Sequence, residues 1–172
     1  MTALTPPSGD RFDAWADCVR DFDGVGLAGS GSWQVQGFGP TRESFETLLE
    51  HTRAESDTGR DLQDGHVHCD YFWVTDPDEV VVGFLAMRHS IDTDFLRTQG
   101  GHIGYSIRPS HRRQGHAARA LGLALNHARM LGLGHVLLTC DEDNVGSIRT
   151  IESQGGDFER ILIGKRRYWI DL

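Results

Sequence analysis

The chain has 172 residues, 38% of them hydrophobic, and a formal net charge of −8. That length fits one folded domain, residues 1–172, with a full core. The acidic balance weighs against nucleic acid as a partner, since phosphate binding needs clustered positive charge; no apolar run reaches the length of a membrane span, and the opening "MTALTPPSGDRF" lacks the basic start and apolar stretch of a signal peptide, so a cytoplasmic home is expected.

Residues 10–22, "DRFDAWADCVRDF", place Phe12, Trp15, Val19 and Phe22 at helical spacing. Residues 23–40 are rich in glycine and read as loop. Phe45, Leu48, Leu49 and Thr52 mark a second amphipathic helix, and "ESDTGRDLQDG" (55–65) reads as a polar loop. The pattern then changes to strands. "DYFWVT" and "VVVGFLAMR" flank "DPDE" as a hairpin. "GHIGYSIR" (101–108) is a third strand, stopped by Pro109, which pushes Arg108 to extended geometry.

A helix is expected over about 115–131. Its polar residues Arg119, Asn126, His127 and Arg129 fall in one arc of roughly 160°, so the rest of it lies flat on a sheet. "HVLLTC" (135–140) is a continuous apolar run, expected to be covered on both faces. A short helix over about 145–153 follows, and "FERILI" and "RRYWIDL" close the chain as a hairpin around Gly164 and Lys165. A strand, a helix and then a buried strand imply a right-handed parallel crossover. The expected fold is therefore single-domain mixed α/β: a mostly antiparallel sheet, helices on both faces and splayed central parallel strands. Cys18, Cys69 and Cys140 are widely spaced and odd in number, which suits buried or idle thiols rather than a disulfide framework.

The most informative stretch is "HRRQGHAARALGLAL" (111–125), where a basic, glycine-bearing loop opens an apolar helix. Arg112, Gly115 and Ala117 fit the spacing Arg/Gln-x-x-Gly-x-Gly/Ala. The first turn of a helix has four unpaired backbone N–H groups at the positive end of its dipole. Glycine at 115 lets an anion approach the backbone, small Ala117 keeps the first turn uncrowded, and Arg112 and Arg113 add charge at the rim. Such a loop suits a diphosphate; a basic turn without a ligand is the plain alternative. The Walker pattern Gly-x-x-x-x-Gly-Lys-Ser/Thr is absent. "GLAGSGSW" (26–33) supplies only Gly29 and Gly31 of a dinucleotide pattern, with no strand before it. "VLLTCDED" lacks the glycine-rich loop that a methyltransferase reading needs.

"GHIGYSIRPSHRRQGHAARAL" followed by "HVLLTCDEDNVGSIRTIESQGG" resembles the coenzyme A core of the GNAT superfamily of N-acyltransferases, in a branch of acetyltransferases known mostly by sequence. The resemblance covers about residues 65–172, including "RRYWI", and thins out over the helical part, residues 10–64. It implies acetyl-CoA as acyl donor, with the strand backbone from Tyr105 to Ile107 pairing the pantetheine arm. The amides of Arg113, Gln114, Gly115, His116 and Ala117 would hold the diphosphate, with Arg112 at the rim. The resemblance also implies that this strand splays from the next one so that the cofactor enters the gap, which Asn144 and Ser147 would face, Asn144 suiting a helix N-cap equally well. The sequence departs from the family at one point: Ile151 stands where many relatives place the tyrosine that protonates the departing thiolate.

Direct transfer needs a neutral amine, a polarised thioester carbonyl and a base to collect the proton. An amide near Ile107 could polarise the carbonyl. Tyr105 and His102 are the candidate catalytic side chains, with His89, His68, Asp70, Asp141 and Glu142 further candidates for the base. An odd spacing sends Tyr105 and His102 to opposite faces of an unbulged strand. His66, His68 and Cys69 lack a fourth ligand and make a poor zinc signature, so no metal is expected. The expected activity is acetyl transfer from acetyl-CoA to a primary amine of a small molecule or protein, by a monomer or a homodimer. The rival reading is a coenzyme A-binding regulatory module without turnover. The net charge suits a cationic acceptor, or solubility alone.

Overall fold

A computed structural model describes residues 1–24 and 26–172. The elements in chain order are β1 (Ala3–Thr5), α1 (Phe12–Asp21), α2 (Arg42–Ser56), β2 (Cys69–Thr75), β3 (Val81–Arg88), β4 (Ile103–Ile107), α3 (His116–Met130), β5 (His135–Asp141), α4 (Val145–Ser153), β6 (Asp157–Leu162) and β7 (Lys165–Asp171). The helices and the six long strands fall where the hydrophobic pattern places them. β1 is new. Three residues carry no readable period, and the strand exists by antiparallel pairing with Trp73–Thr75.

Two sheets result, ordered β1-β2-β3-β4 and β5-β7-β6. β2 and β3 are the buried centre of the first, and apolar side chains pack on both faces of it. On one face Trp73, Val81 and Phe84 meet Trp15, Val19, Phe45 and Leu48 from α1 and α2. On the other, Val74, Leu85 and Met87 meet Ala120, Leu121, Ala124 and Leu125 of α3 and Ile151 of α4. Each such large side chain contributes roughly 1.5–3 kcal/mol by leaving water. Small Ala120, Ala124 and Ala128 let α3 approach the strands closely.

The expected parallel pair is not found as a ladder. Every ladder is antiparallel, and β4 and β5 lie in different sheets. The sheets meet at one point where the main-chain N–H of His102 donates to Leu137 O at 2.7 Å and the Leu137 N–H donates to His102 Nδ1 at 2.9 Å. These two bonds satisfy both backbone groups of Leu137 facing β4. Beyond them the strands share no backbone hydrogen bond among the described residues, so the edge of β4 that faces β5 is free.

The far end of β4 is anchored by Arg108, which is buried. Its guanidinium donates to Asp21 at 2.6 Å and to Asp17 at 2.8 Å on α1. Asp21 also accepts from the Ser110 hydroxyl. The loop that follows β4 therefore starts from a fixed point.

Candidate active site

A cavity of about 830 Å³ opens between β4 and β5 and runs across the same face of β2 and β3. Tyr105 and Gly104 of β4 form one wall, and Cys140 and Asp141 of β5 the other. Asn144 and Ser147, at the start of α4, close one end. The glycine loop Leu27–Ser32 forms part of the floor. It lies hard against β4: Ser106 Oγ donates to Ala28 O at 2.7 Å, and a Cβ on Gly29 (φ +81°) would stand 2.3 Å from Gly104 O. Gly29 thus serves close approach of backbone to strand, while a Cβ on Gly31 (φ +77°) would stand 3.2 Å from the Tyr71 ring.

Of the two candidate catalytic side chains, Tyr105 faces the cavity. Its hydroxyl lies 2.9 Å from Ser147 Oγ, and burial pushes its pKa up to about 12, so it stays protonated. His102 is turned away from the cavity and buried beside Trp169. Its Nδ1 lone pair is engaged by the Leu137 amide, which places the proton on Nε2. Burial first, then His135 and Arg88, lower its pKa to about 4. A histidine so held has no free lone pair with which to act as base.

The loop predicted to bind the diphosphate lies outside the cavity lining, exposed beyond the end of β4. Gly115 is the left-handed N-cap of α3 (φ 81°, ψ 5°), and no side chain caps that helix. Arg113 is also left-handed, at φ 61°, and its side chain and that of Gln114 are exposed. Arg112 folds back so that its Nε donates to Ile107 O at 2.9 Å, and Ile107 is buried. The His116 ring points inward, 2.9 Å from Thr2 Oγ1, and burial lowers its pKa. Ala117 is half-buried. The backbone amides of this turn are thus left without a capping side chain, with arginine beside them. At α4 the Asn144 side chain does cap its helix, accepting from Ser147 N–H at 3.0 Å, while also lining the cavity. Ile151, one turn beyond Ser147, is fully buried in the core.

The remaining candidates scatter. Asp70 lies away from the cavity, and its Oδ2 is shared by His89 Nε2 at 3.0 Å and His127 Nε2 at 2.7 Å. Asp141 lines the cavity and pairs with Lys165 at 2.5 Å, whereas Glu142 is exposed. His66 and His68 both turn their Nδ1 atoms to Glu55, to Oε1 at 2.9 Å and to the main-chain O at 3.0 Å. Cys69 is buried, with its thiol pushed up to about 12 by burial.

The sequence reading missed Glu55. The sequence reading puts it at the start of the polar loop 55–65, whereas α2 continues to Ser56 and Glu55 is only 6% exposed and faces the cavity. Tyr71 donates its hydroxyl proton to Glu55 Oε2 at 2.7 Å, and Gln34 Nε2 donates to the Tyr71 oxygen at 3.0 Å. Burial, with the Glu55 charge adding to it, pushes the Tyr71 phenol far above its ordinary value. Trp33 and Phe95 stand exposed at the rim, with Trp33 against His66 at 5.6 Å between ring centres. One signal was available: alternation places Cys69 and Tyr71 on one strand face, and a buried tyrosine needs a partner for its hydroxyl.

Comparison with known proteins bears directly on this site. The sequence profile of the acetyltransferase (GNAT) domain matches residues 10–157. No curated protein matches the chain in sequence. Among solved structures, RimJ of Mycobacterium smegmatis in complex with a coenzyme A disulfide superposes with a TM-score of 0.72 at 20% identity, over 99% of this chain and 81% of that one. The ribosomal α-N-protein acetyltransferase RimL in complex with coenzyme A gives 0.70 at 15% identity, over 99% and 94%. The microcin self-immunity acetyltransferase MccE, in complex with acetyl-CoA and AMP, gives 0.69 at 14% identity, over 99% and 92%. At these identities the likeness establishes the fold.

Proposed function

The chain belongs to the GNAT acetyltransferase family, and on that premise we propose that it transfers an acetyl group from acetyl-CoA to a primary amine by direct attack. The observation that carries this reading is the cavity itself. It joins a free strand edge and a protonated tyrosine at one end to a buried carboxylate at the other.

The residues present suit acetyl-CoA as donor. The uncapped start of α3, with Gly115 in the left-handed conformation, offers amides to the diphosphate. Arg112 and Arg113 supply charge beside it. The edge of β4 around Tyr105 has no strand partner on the β5 side and suits the amide groups of a pantetheine arm, although Ile107 O already accepts from Arg112 Nε, and Asn144 and Ser147 border the same gap.

In the reaction, the amine nitrogen forms a bond to the thioester carbon and the carbon–sulfur bond breaks. The sulfur leaves as thiolate, and the amine gives up one proton. Glu55 is the acidic group placed to collect that proton, with His66 hydrogen-bonded to it. Tyr105, protonated and paired with Ser147, donates a hydrogen bond to the departing sulfur. This arrangement does without a tyrosine at position 151, where isoleucine belongs to the core.

Acceptor-dependent release of free thiol from acetyl-CoA, measured across a panel of primary amines, tests the reading. It predicts release that rises with one class of amine and yields the N-acetyl product in equal amount. Ile151 favours a second reading, a coenzyme A-binding module without turnover. Binding of acetyl-CoA with no release on any amine would select it.

A further inference from the structure

Two opposite charges face the same cavity, and neither is neutralised by an opposite fixed charge of aspartate, glutamate, lysine or arginine. Glu55 accepts from Tyr71 and contacts His66. Arg88, half-buried at the end of β3, donates from Nη1 to Gly101 O at 3.1 Å and forms no salt bridge among the described residues. In the β2–β3 ladder Arg88 lies directly opposite Cys69, and Tyr71 opposite Ala86. All four line the cavity, so they share one sheet face. Arg88 and Tyr71 are therefore diagonal neighbours, with β-carbons about 7–8 Å apart. The guanidinium lies over β4, where a Cβ on Gly104 would stand 3.7 Å from Arg88 Nη1, next to Tyr105. Gly104 lets the guanidinium and the Gly29 backbone pack together against the strand.

We propose, resting on the acetyltransfer reading above, that the acceptor is a small amino-carboxylate, a free amino acid, whose amino group is held by Glu55, arriving as ammonium and losing one proton to solvent before it attacks as the neutral amine, and whose carboxylate is held by Arg88. A guanidinium with one edge free matches a planar carboxylate in two parallel hydrogen bonds. A buried carboxylate with no lysine or arginine partner attracts a cation. Both charges act on the Tyr71 hydroxyl, with Glu55 raising and Arg88 lowering its pKa, which sets them around the same point. The other nearby cation, Lys165, is already paired with Asp141, so the site offers one free positive charge, suited to a carboxylate rather than a phosphate dianion. Trp33 and Phe95 at the rim would cover the apolar part of such a molecule.

The test compares kcat/KM, by thiol release, for free amino acids (α and ω), their carboxamides, and peptides beginning with the same residues. The expected result is a preference of roughly 10–100-fold for the free acid over its carboxamide, with the peptide no better than the carboxamide. Arg88→Gln should bring acid and carboxamide to near parity by lowering kcat/KM for the acid far more than for the carboxamide. Glu55→Gln should lower kcat and raise KM for both alike, because it removes the proton acceptor as well as the charge. Arg88→Gln must keep its melting temperature within a few degrees and its stabilisation by acetyl-CoA. If it fails to fold, Arg88→Lys replaces it and should lose most of the preference, because the charge remains and the fork does not. Equal rates for acid and carboxamide in the wild type, a preference that survives Arg88→Gln, or peptides preferred over free acids would each overturn the proposal while acetyl transfer stands. No release with any amine would overturn both.

Discussion

Tyr105 and His102 are three positions apart, yet their surroundings give them opposite chemistry. Tyr105 faces a cavity with its proton retained and Ser147 as partner. Tyr105→Phe removes only the hydroxyl. If that hydroxyl bonds the leaving sulfur, kcat falls roughly ten- to a hundredfold, the value of one hydrogen bond to a charged group, while acetyl-CoA binding measured by thermal shift is unchanged. His102 acts on stability instead. Its pKa is about 4 in the fold against 6.5 when exposed. Between those values the unfolded chain binds a proton that the folded one excludes, so stability is complete above about pH 6.5 and declines as pH falls toward 4. The loss attributable to this ring is about 3 kcal/mol. Urea unfolding from pH 7.5 to 4 should show it, and His102→Asn should flatten the slope over that window. The odd spacing in the sequence separated the two side chains by face. It did not say which face carried the site, because that depends on where β5 lies.

At the scale of elements, the start of α3 is the part most readable from sequence. The apolar positions fix the face that packs, and the glycine marks where the helix begins. The structure adds that Gly115 is left-handed and that a Cβ there would stand 2.9 Å from Arg119 Nη1. Gly115→Val therefore strains the backbone by about 1–2 kcal/mol besides blocking the amides. It should melt a few degrees below wild type and show no further shift with acetyl-CoA. Arg112→Glu should keep its melting temperature and lose only part of the shift, because one charge reverses and the amides remain. A full acetyl-CoA shift in the Gly115→Val protein would remove the diphosphate from this turn. Other elements were less legible for definite reasons. β1 exists by pairing with β2, which lies some seventy positions on. The expected parallel relation of β4 and β5 followed from the usual strand–helix–strand rule, and beyond the His102–Leu137 bonds the two strands share no backbone hydrogen bond among the described residues. Glu55 belongs to the site through Tyr71, sixteen residues away, a link that periodicity along one helix does not reveal.

For the whole molecule, the cavity is the consequence of two sheets that touch at one point and separate. The order of elements and the placing of helices on both faces could be read from the apolar pattern. The extent of the cavity could not, because it is a space between sheets, lined by stretches as far apart in sequence as Leu27 and Lys165. A donor that binds the folded state alone stabilises it by about 2.7 kcal/mol at a hundred times its dissociation constant. For a chain of this size that is a rise of about 5–10 °C in melting temperature, and no rise at saturation would contradict donor binding altogether. The most direct measurement is a crystal structure of the protein with acetyl-CoA. The account predicts the diphosphate on the amides of residues 113–117, the pantetheine arm along the free edge of β4, and the thioester in the cavity beside Tyr105, with its carbonyl carbon open toward Glu55. A donor bound elsewhere, or a thioester facing away from the cavity, would contradict it.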